Sequence, residues 1–408
     1  MGKVGTEATL LEILEEVRSI ATDTDILANG STAGDWAGVK KIVQHGFGAK
    51  RLPIGTQLVD TFTKTAGGAA LDNPWDVVHH YENGDMALNM HFAFPDGMPF
   101  DAPEAIYYAP DGGLAAGQYY ITIGMAYGDG WKAGHHINFT LTEAMEAGDQ
   151  LVLNTATNNK NDVTDGMAWN VYAKGSTTSK QNGVTSDSTD GTELGSTSTS
   201  GTGYKNGNIN APQVVVYGYG RWSQSAVRQW LNSVAAAGGW WKPQNPWDRP
   251  PAQAATVRGF LACCSPEFVA ALDEVEVVTA INTVEGSTEA AETTKDKIFL
   301  PSKTQLYMVE QYTEDEPWDY FEQLALEAGL SGRFQNHPTV YEVIKRYNLE
   351  SQSSAVGAWL RSSSRAGAGL AWVVYAGGSV DYYGTAYSAY RGCPACKFKK
   401  STPAESGD

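Results

Sequence analysis

Trp222-Ser-Gln-Ser-Ala-Val-Arg-Gln-Trp-Leu-Asn232 is the stretch on which the fold turns. Val227, Trp230 and Leu231 fall on one face at helical spacing, and Ser223 stands where a hydroxyl would accept a free backbone N–H, so a helix is predicted over 223–233. A helix this short gains most of its stability from packing, so its apolar face demands a core supplied from elsewhere in the chain. Just downstream, Gly238-Gly-Trp-Trp-Lys-Pro-Gln-Asn-Pro-Trp-Asp-Arg-Pro-Pro251 carries too many prolines for a helix interior or a central strand. Its Trp240, Trp241 and Trp247 must be covered or used; scaffold or subunit contact is expected, with stacking on sugar rings as the other use.

Upstream, Gly183 to Gly203 is almost entirely Ser, Thr, Gly and Asp, which predicts an exposed loop or linker, and Val214 to Tyr217 reads as a strand. Between Leu114 and Ala173 the runs Gln118–Ile123, Ile137–Leu141, Gln150–Leu153 and Trp169–Tyr172 are separated by turn residues at the spacing of a small β-sandwich. From Trp36 onward, Val39 to Val43, Leu52 to Val59 and Trp75 to His80 read as short extended runs. Near the N-terminus, Leu10, Leu11, Ile13, Leu14, Val17 and Ile20 form a helical apolar stripe, with Thr9 and Glu12 spaced as a capping box.

Downstream, Pro266 to Leu272 predicts a helix, Val275 to Ala280 a strand, Lys297 to Ser302 a strand leading into a turn, and Trp318 to Ala328 a helix. Ala371–Tyr375 and Ser379–Tyr383 read as a hairpin joined through Gly377-Gly378. The last fifty residues open with Trp359-Leu360-Arg361-Ser362 and continue almost wholly in Ser, Ala, Gly and Tyr. Tyr offers large amphipathic contact area at little rotamer cost, and Ser and Gly offer compliant hydrogen bonding, as in antibody loops. That composition points to a binder.

Composition narrows the classes. The 408 residues suffice for two or three structural units. Against 29 Lys and Arg stand 46 acids, a formal charge of −17, which disfavours phosphate backbones and anionic lipid surfaces as partners. No apolar run reaches the roughly 20 residues a membrane span needs, and Met1 to Glu7 lacks the pattern of a signal peptide, so synthesis in a cytoplasm without membrane insertion is expected. Four cysteines in so long a chain favour free thiols over a disulfide scaffold.

Three segments taken together carry a resemblance: Trp222 to Asn232, Phe299-Leu-Pro-Ser302 and Trp359-Leu-Arg-Ser362. Their order and content resemble bacterial and bacteriophage domains with a C-type-lectin-like, formylglycine-generating-enzyme-like fold, and Trp36 to Asp60 with Ile106-Tyr-Tyr108 resembles the opening part of such chains. Within that group the chain is most similar to virion fibre and receptor-binding proteins of tailed phages, some diversified near the C-terminus by a mutagenic retroelement; Ser363 to Tyr390 looks like such a variable tract. The resemblance implies an α+β protein: a C-type-lectin-like domain with an inserted β-sandwich-like subdomain and an N-terminal helix. Its expected parts are a helix for attachment or oligomerisation (1–30), the first part of the lectin-like domain (31–110), the inserted β-rich unit with its polar loop (111–205), the main lectin-like domain (206–400) and a tail (401–408).

In this picture Trp359, Leu360, Trp372 and Val374 are buried scaffold, whereas Ser363, Ser364, Arg365, Tyr375, Tyr382, Tyr383, Tyr387 and Tyr390 lie on the receptor-binding face. The implied function is a non-catalytic virion component that recognises a bacterial surface molecule, joins other virion proteins through its N-terminal region and assembles as a homotrimer. A bacterial surface or secreted binding protein of the same fold is the alternative.

The same broad fold houses an oxidase that makes formylglycine with a reactive cysteine pair and copper, for which Cys393 and Cys396 would be the candidates beside Cys263 and Cys264. Ordinary thiol burial is the expectation, with no metal, cofactor or catalytic residue. The pairs His79-His80 and His135-His136 point to opposite sides if they lie in strands and make no chelate alone. Asn158 to Asp162 with Asp165-Gly166 lacks the register of a calcium loop, and no nucleophile elbow, phosphate loop or zincin motif is present.

Overall fold

The run Val39 to Val43, extended by its β-branched content, is helical. Asp35 explains why: its Oδ1 accepts the Gly38 N–H at 3.0 Å and starts helix α1, Trp36–Gln44. Trp36, Val39, Ile42 and Val43 then share the buried face at a helical period that outweighs β propensity. The computed structural model of the chain describes Leu14, Val17 and residues 35–101, 106–122, 134–155, 167–173, 176, 178–196, 220–244, 250–281, 291–309, 314–333, 337, 341–364, 370–384 and 390–401. Leu14 and Val17 are helical and exposed; Val214 to Tyr217 and Asn158 to Gly166 lie outside the described residues.

After α1 the chain forms a single turn, α2 (Gly48–Arg51), then β1 (Gln57–Phe62), β2 (Leu71–His80) and β3 (Met86–Met90). Strands β4 (Ile106–Tyr108), β5 (Gly117–Thr122), β6 (His136–Leu141), β7 (Gln150–Thr155), β8 (Met167–Tyr172), β9 (Ser179–Val184) and β10 (Thr192–Ser196) follow. Then come α3 (Ala226–Leu231), α4 (Pro266–Ala271), β11 (Val275–Ala280), β12 (Ala291–Asp296), α5 (Asp319–Glu327) and α6 (Tyr341–Ile344). Short β13 (Arg346–Tyr347) and β14 (Ala355–Val356) lead to β15 (Ala358–Ser363), β16 (Leu370–Val374), β17 (Val380–Gly384) and β18 (Ala395–Phe398). The class is α+β.

Two hydrophobic cores divide this chain. The larger draws on both ends: β18 closes a sheet in the order β1-β2-β3-β18, so the C-terminal strand pairs with one formed some 300 residues earlier in the sequence. Aromatic rings knit it together, with Trp230 of α3 4.6 Å from Phe94 and 5.7 Å from Phe260, and Phe268 of α4 4.6 Å from Trp36 and 4.9 Å from Trp75. Aromatic pairs of this kind, three of the four edge-to-face and Phe268–Trp75 tilted, add about 0.5–1.5 kcal/mol each beyond their buried area.

The smaller core lies between two sheets, β4-β7-β8-β9 and β10-β5-β6, with Tyr119, Ile121, Ile137, Phe139 and Leu141 on one side and Tyr107, Leu151, Trp169 and Val171 on the other. This is the sandwich-like insert. It begins with β4, so the boundary expected at 111 falls inside it. The polar tract from Gly183 is not all loop, because Thr192 to Ser196 adds β10 in parallel to β5 through backbone pairing that needs no apolar side chains. The insert leaves and rejoins the larger core near one place: the Val227 N–H donates to Phe100 O at 3.0 Å, and the Ser363 hydroxyl donates to Gly220 O.

Candidate functional site: the C-terminal sheet

The three signature segments prove to be framework. Ser225, not Ser223, caps α3, accepting the Arg228 N–H, while the predicted helix start at 222–224 is a 3-10 turn whose Ser223 hydroxyl donates to Glu292. Asp296 at the end of β12 receives Arg228 Nε at 2.7 Å and Trp222 Nε1 at 3.0 Å. Asn232 Oδ1 accepts the backbone N–H groups of Lys297 and Ile298, and its Nδ2 donates to Ile298 O at 2.8 Å. The motif helix is therefore bolted to the β11-β12 hairpin by side chains, and Phe299 makes only an isolated bridge to Ala395 in place of the expected strand.

β15 is buried along its whole length. Trp359 Nε1 donates to Met98 O at 2.7 Å. Arg361 is fully buried and distributes its guanidinium to Leu300 O, Gln305 Oε1, Val278 O, Glu314 O and Thr279 Oγ1. Desolvation pulls its pKa down, opposed by Glu314 and Asp315. The Ser362 hydroxyl donates to the Glu314 carboxylate, which also accepts the Ala280 N–H.

Against this frame β16 and β17 form the predicted hairpin, turning at Gly378, whose φ of +87° suits only glycine without strain. Trp372 and Tyr382 are direct partners across the ladder, their rings 5.5 Å apart and at 87°. Lys303 Nζ sits 3.6 Å from the Trp372 ring centroid, a cation–π contact from a buried lysine beneath a half-buried ring. Tyr382 itself is 43 % exposed. The arrangement is an aromatic corner held rigid from behind and open in front.

The expected outer layer is corrected in part. Ser363 and Ser364 are buried at 7 % and 1 % exposure, not displayed: Ser363 bonds Gly220 O and the Ser364 N–H bonds Leu370 O, so both serve as small polar filler with their hydrogen bonds satisfied inside. Tyr375 and Tyr390 are half-buried against one another at 5.9 Å, and the Tyr390 edge meets Trp359 at 5.0 Å. Gly357 makes this seat possible, since a Cβ there would lie 2.4 Å from the Tyr390 ring. Trp372, expected to be buried, is half-open. Arg365 and Tyr387 lie outside the described residues, as does the side chain of Tyr383, whose backbone pairs with Ala371. Trp359, Leu360 and Val374 are buried as expected.

Reactive chemistry is not set up at the thiols. All four cysteines are unpaired; burial pushes Cys263 up to about 12 and raises Cys264, Cys393 and Cys396 as well, which disfavours the nucleophilic thiolate. The Cys393 thiol points at Met90 O, 3.0 Å away. Among the described residues, no group of three or more His, Cys, Asp and Glu is arranged to hold a metal ion. Trp240 is scaffold, its Nε1 donating to Val257 O at 2.8 Å; Trp247 lies outside the described residues.

The sequence reading missed an acidic strap, Glu314-Asp-Glu-Pro-Trp-Asp319, that links the β15-β16-β17 sheet to the β1-β2-β3-β18 sheet. Glu314 is tied to β15 as described, Asp315 accepts from Tyr81 and Gln305, and His79 of β2 contacts Glu316 and Asp319, each at 3.1 Å. No local signal marked it, because four acids in six residues read as a solvated turn, and the side chains of Glu316 and Asp319 are indeed partly exposed. In the insert, His135 and His136 both approach one carboxylate, Asp187, at 2.8 and 3.5 Å.

Residues 205–400 match the family described as a domain of unknown function, DUF6273. No curated protein and no solved structure matches the chain. The matched stretch contains all three signature segments and the aromatic corner, while β1, β2 and β3, which complete the larger core, fall before it.

Proposed function

We propose that the protein is a non-catalytic binding component of a bacteriophage virion, a fibre or receptor-binding protein with a C-type-lectin-like domain, which recognises a bacterial surface molecule through its C-terminal sheet. The N-terminal apolar stripe joins it to other virion proteins and to two further copies of itself. The observation that carries the reading is the corner of Trp372 and Tyr382 on an outer hairpin, with Lys303 packed under it and a fully buried strand behind. Recognition by rigid aromatic anchors needs little ordering on binding, which is where such a surface gains affinity. Thiols held protonated by burial favour this reading over the formylglycine-type oxidase.

The working face is redrawn from the expectation. Tyr382 and Trp372 form its centre, with Arg365, Tyr383 and Tyr387 as neighbours in sequence, and Ser363 and Ser364 are excluded. The test is attachment of the labelled protein to a panel of intact bacteria. Tyr382→Ala is expected to weaken attachment at least tenfold with unchanged circular dichroism; attachment equal to that of the parent protein overturns the assignment of the face.

A further inference from the structure

β18 is an edge strand, and its ladder with β3 alternates in a way that can be read residue by residue. The Met90 N–H bonds Pro394 O, so 394 and 90 form a hydrogen-bonded pair; Ala395 turns its own N–H and C=O the other way, to Phe299 at 2.7 and 2.9 Å. Two residues on, Lys397 has the same phase and directs both its N–H and its C=O away from β3. At 399 the phase recurs, and the Lys399 N–H is satisfied by Asp273 Oδ2 at 3.0 Å. Lys397 is thus the gap: among the described residues nothing bonds its outward donor or acceptor.

A cleft of about 330 Å³ opens at this gap, between β18 and the start of β11. Its charged lining is Asp85, Glu274, Glu276, Lys295, Lys397 and Lys399, three acids and three bases, with no ion pair joining any two of the six. The Lys397 ammonium rests 3.7 Å from the centre of the Tyr81 ring. A free edge is commonly blunted by charge, but charge of a single sign suffices for that. Opposed walls of both signs around one open backbone donor and acceptor match an extended peptide unit.

We propose that this cleft docks a short extended segment of a partner protein, which exchanges two backbone hydrogen bonds with Lys397 as a one-residue β-bridge and places a charge of each sign against the opposed walls. The site is independent of the C-terminal aromatic corner.

Four capped pentapeptides with a Thr-Val-Thr centre and Lys or Glu in every combination at the two ends are the probes, titrated into the whole protein carrying 15N-lysine. At least one mixed-charge peptide is expected to shift the Lys397 amide at millimolar concentration and to bind at least threefold tighter than both like-charged ones. Lys397→Pro removes the outward N–H together with the ammonium on Tyr81 but takes no donor from β3, and should abolish the shift at the remaining cleft lysines with near-UV dichroism kept, whereas Lys397→Ala, which loses the ammonium and keeps the N–H, should retain it. If Lys397→Pro fails to fold, the double change Glu274→Lys and Glu276→Lys should transfer preference to the peptide with two Glu ends. No shift with any of the four peptides, or an unchanged order of preference in the double variant, overturns the proposal.

Discussion

Arg361 and Tyr382 belong to the same small sheet and live in opposite physical worlds. Arg361 has every N–H direction filled by protein oxygen, in a setting where an unpaired charge would cost several kcal/mol. Tyr382 packs against the Trp372 ring and keeps 43 % of its surface open to solvent. The difference teaches that the specificity of this fold is written in buried polar side chains, and that the outward side chain of Tyr382 is only weakly coupled to it. Substitutions at the two positions should therefore read out on different instruments.

The strongest test is Arg361→Met. It removes the guanidinium donors from the carbonyls of Leu300, Val278 and Glu314, and it should lower the free energy of unfolding by about 3–5 kcal/mol in urea titrations. A loss under 1 kcal/mol would erase the contrast. Next, Trp169→Ala should cost the insert about 3–5 kcal/mol while leaving the larger core folded, visible as an added early transition in calorimetry. A single, uniformly shifted transition would show that the two cores unfold as one.

pH sharpens the comparison further. The Cys263 thiol is raised by burial from 9.0 to about 12, so between those values the native state keeps a proton that the unfolded chain has released. Its contribution to stability is whole below pH 9 and is lost as pH climbs toward 12. The urea midpoint should accordingly fall between pH 9 and 10, less steeply in Cys263→Ala. In the insert, Tyr107 is raised from 10.0 to about 12 by burial, so its matching loss begins about one pH unit later.

Smaller effects separate the caps. Ser225→Ala should cost about 1 kcal/mol and Ser223→Ala clearly less, since only Ser225 accepts a helix N–H. Smallest of all, Tyr382→Ala should leave stability within about 0.5 kcal/mol of the parent in the same titrations while reducing cell attachment.

What could be read ahead of the structure followed the range over which each signal acts. The strands of the insert were legible because apolar alternation and turn residues are local, and the hairpin at Gly378 for the same reason. Val39 to Val43 misled because β-branched residues suit strands, while the deciding cap, Asp35, lies outside the apolar run. β10 had no pattern to read, because its strand character comes from a partner more than seventy residues away. Ser363 and Ser364 carried the composition of a contact loop, and nothing local records that Gly220 and Leu370 return to cover them. The aromatic corner was half legible: Tyr382 was named, whereas Trp372 was assigned to the interior because the lysine beneath it comes from the turn at 303.

The two crossings into the insert, clasped at Phe100–Val227 and Gly220–Ser363, make the intervening stretch an exchangeable cassette. A lineage, or an engineer, can swap residues 102–219 for another module whose termini lie close together without disturbing the host framework. Chains sharing this framework should accordingly vary most in what they carry between those two clasps.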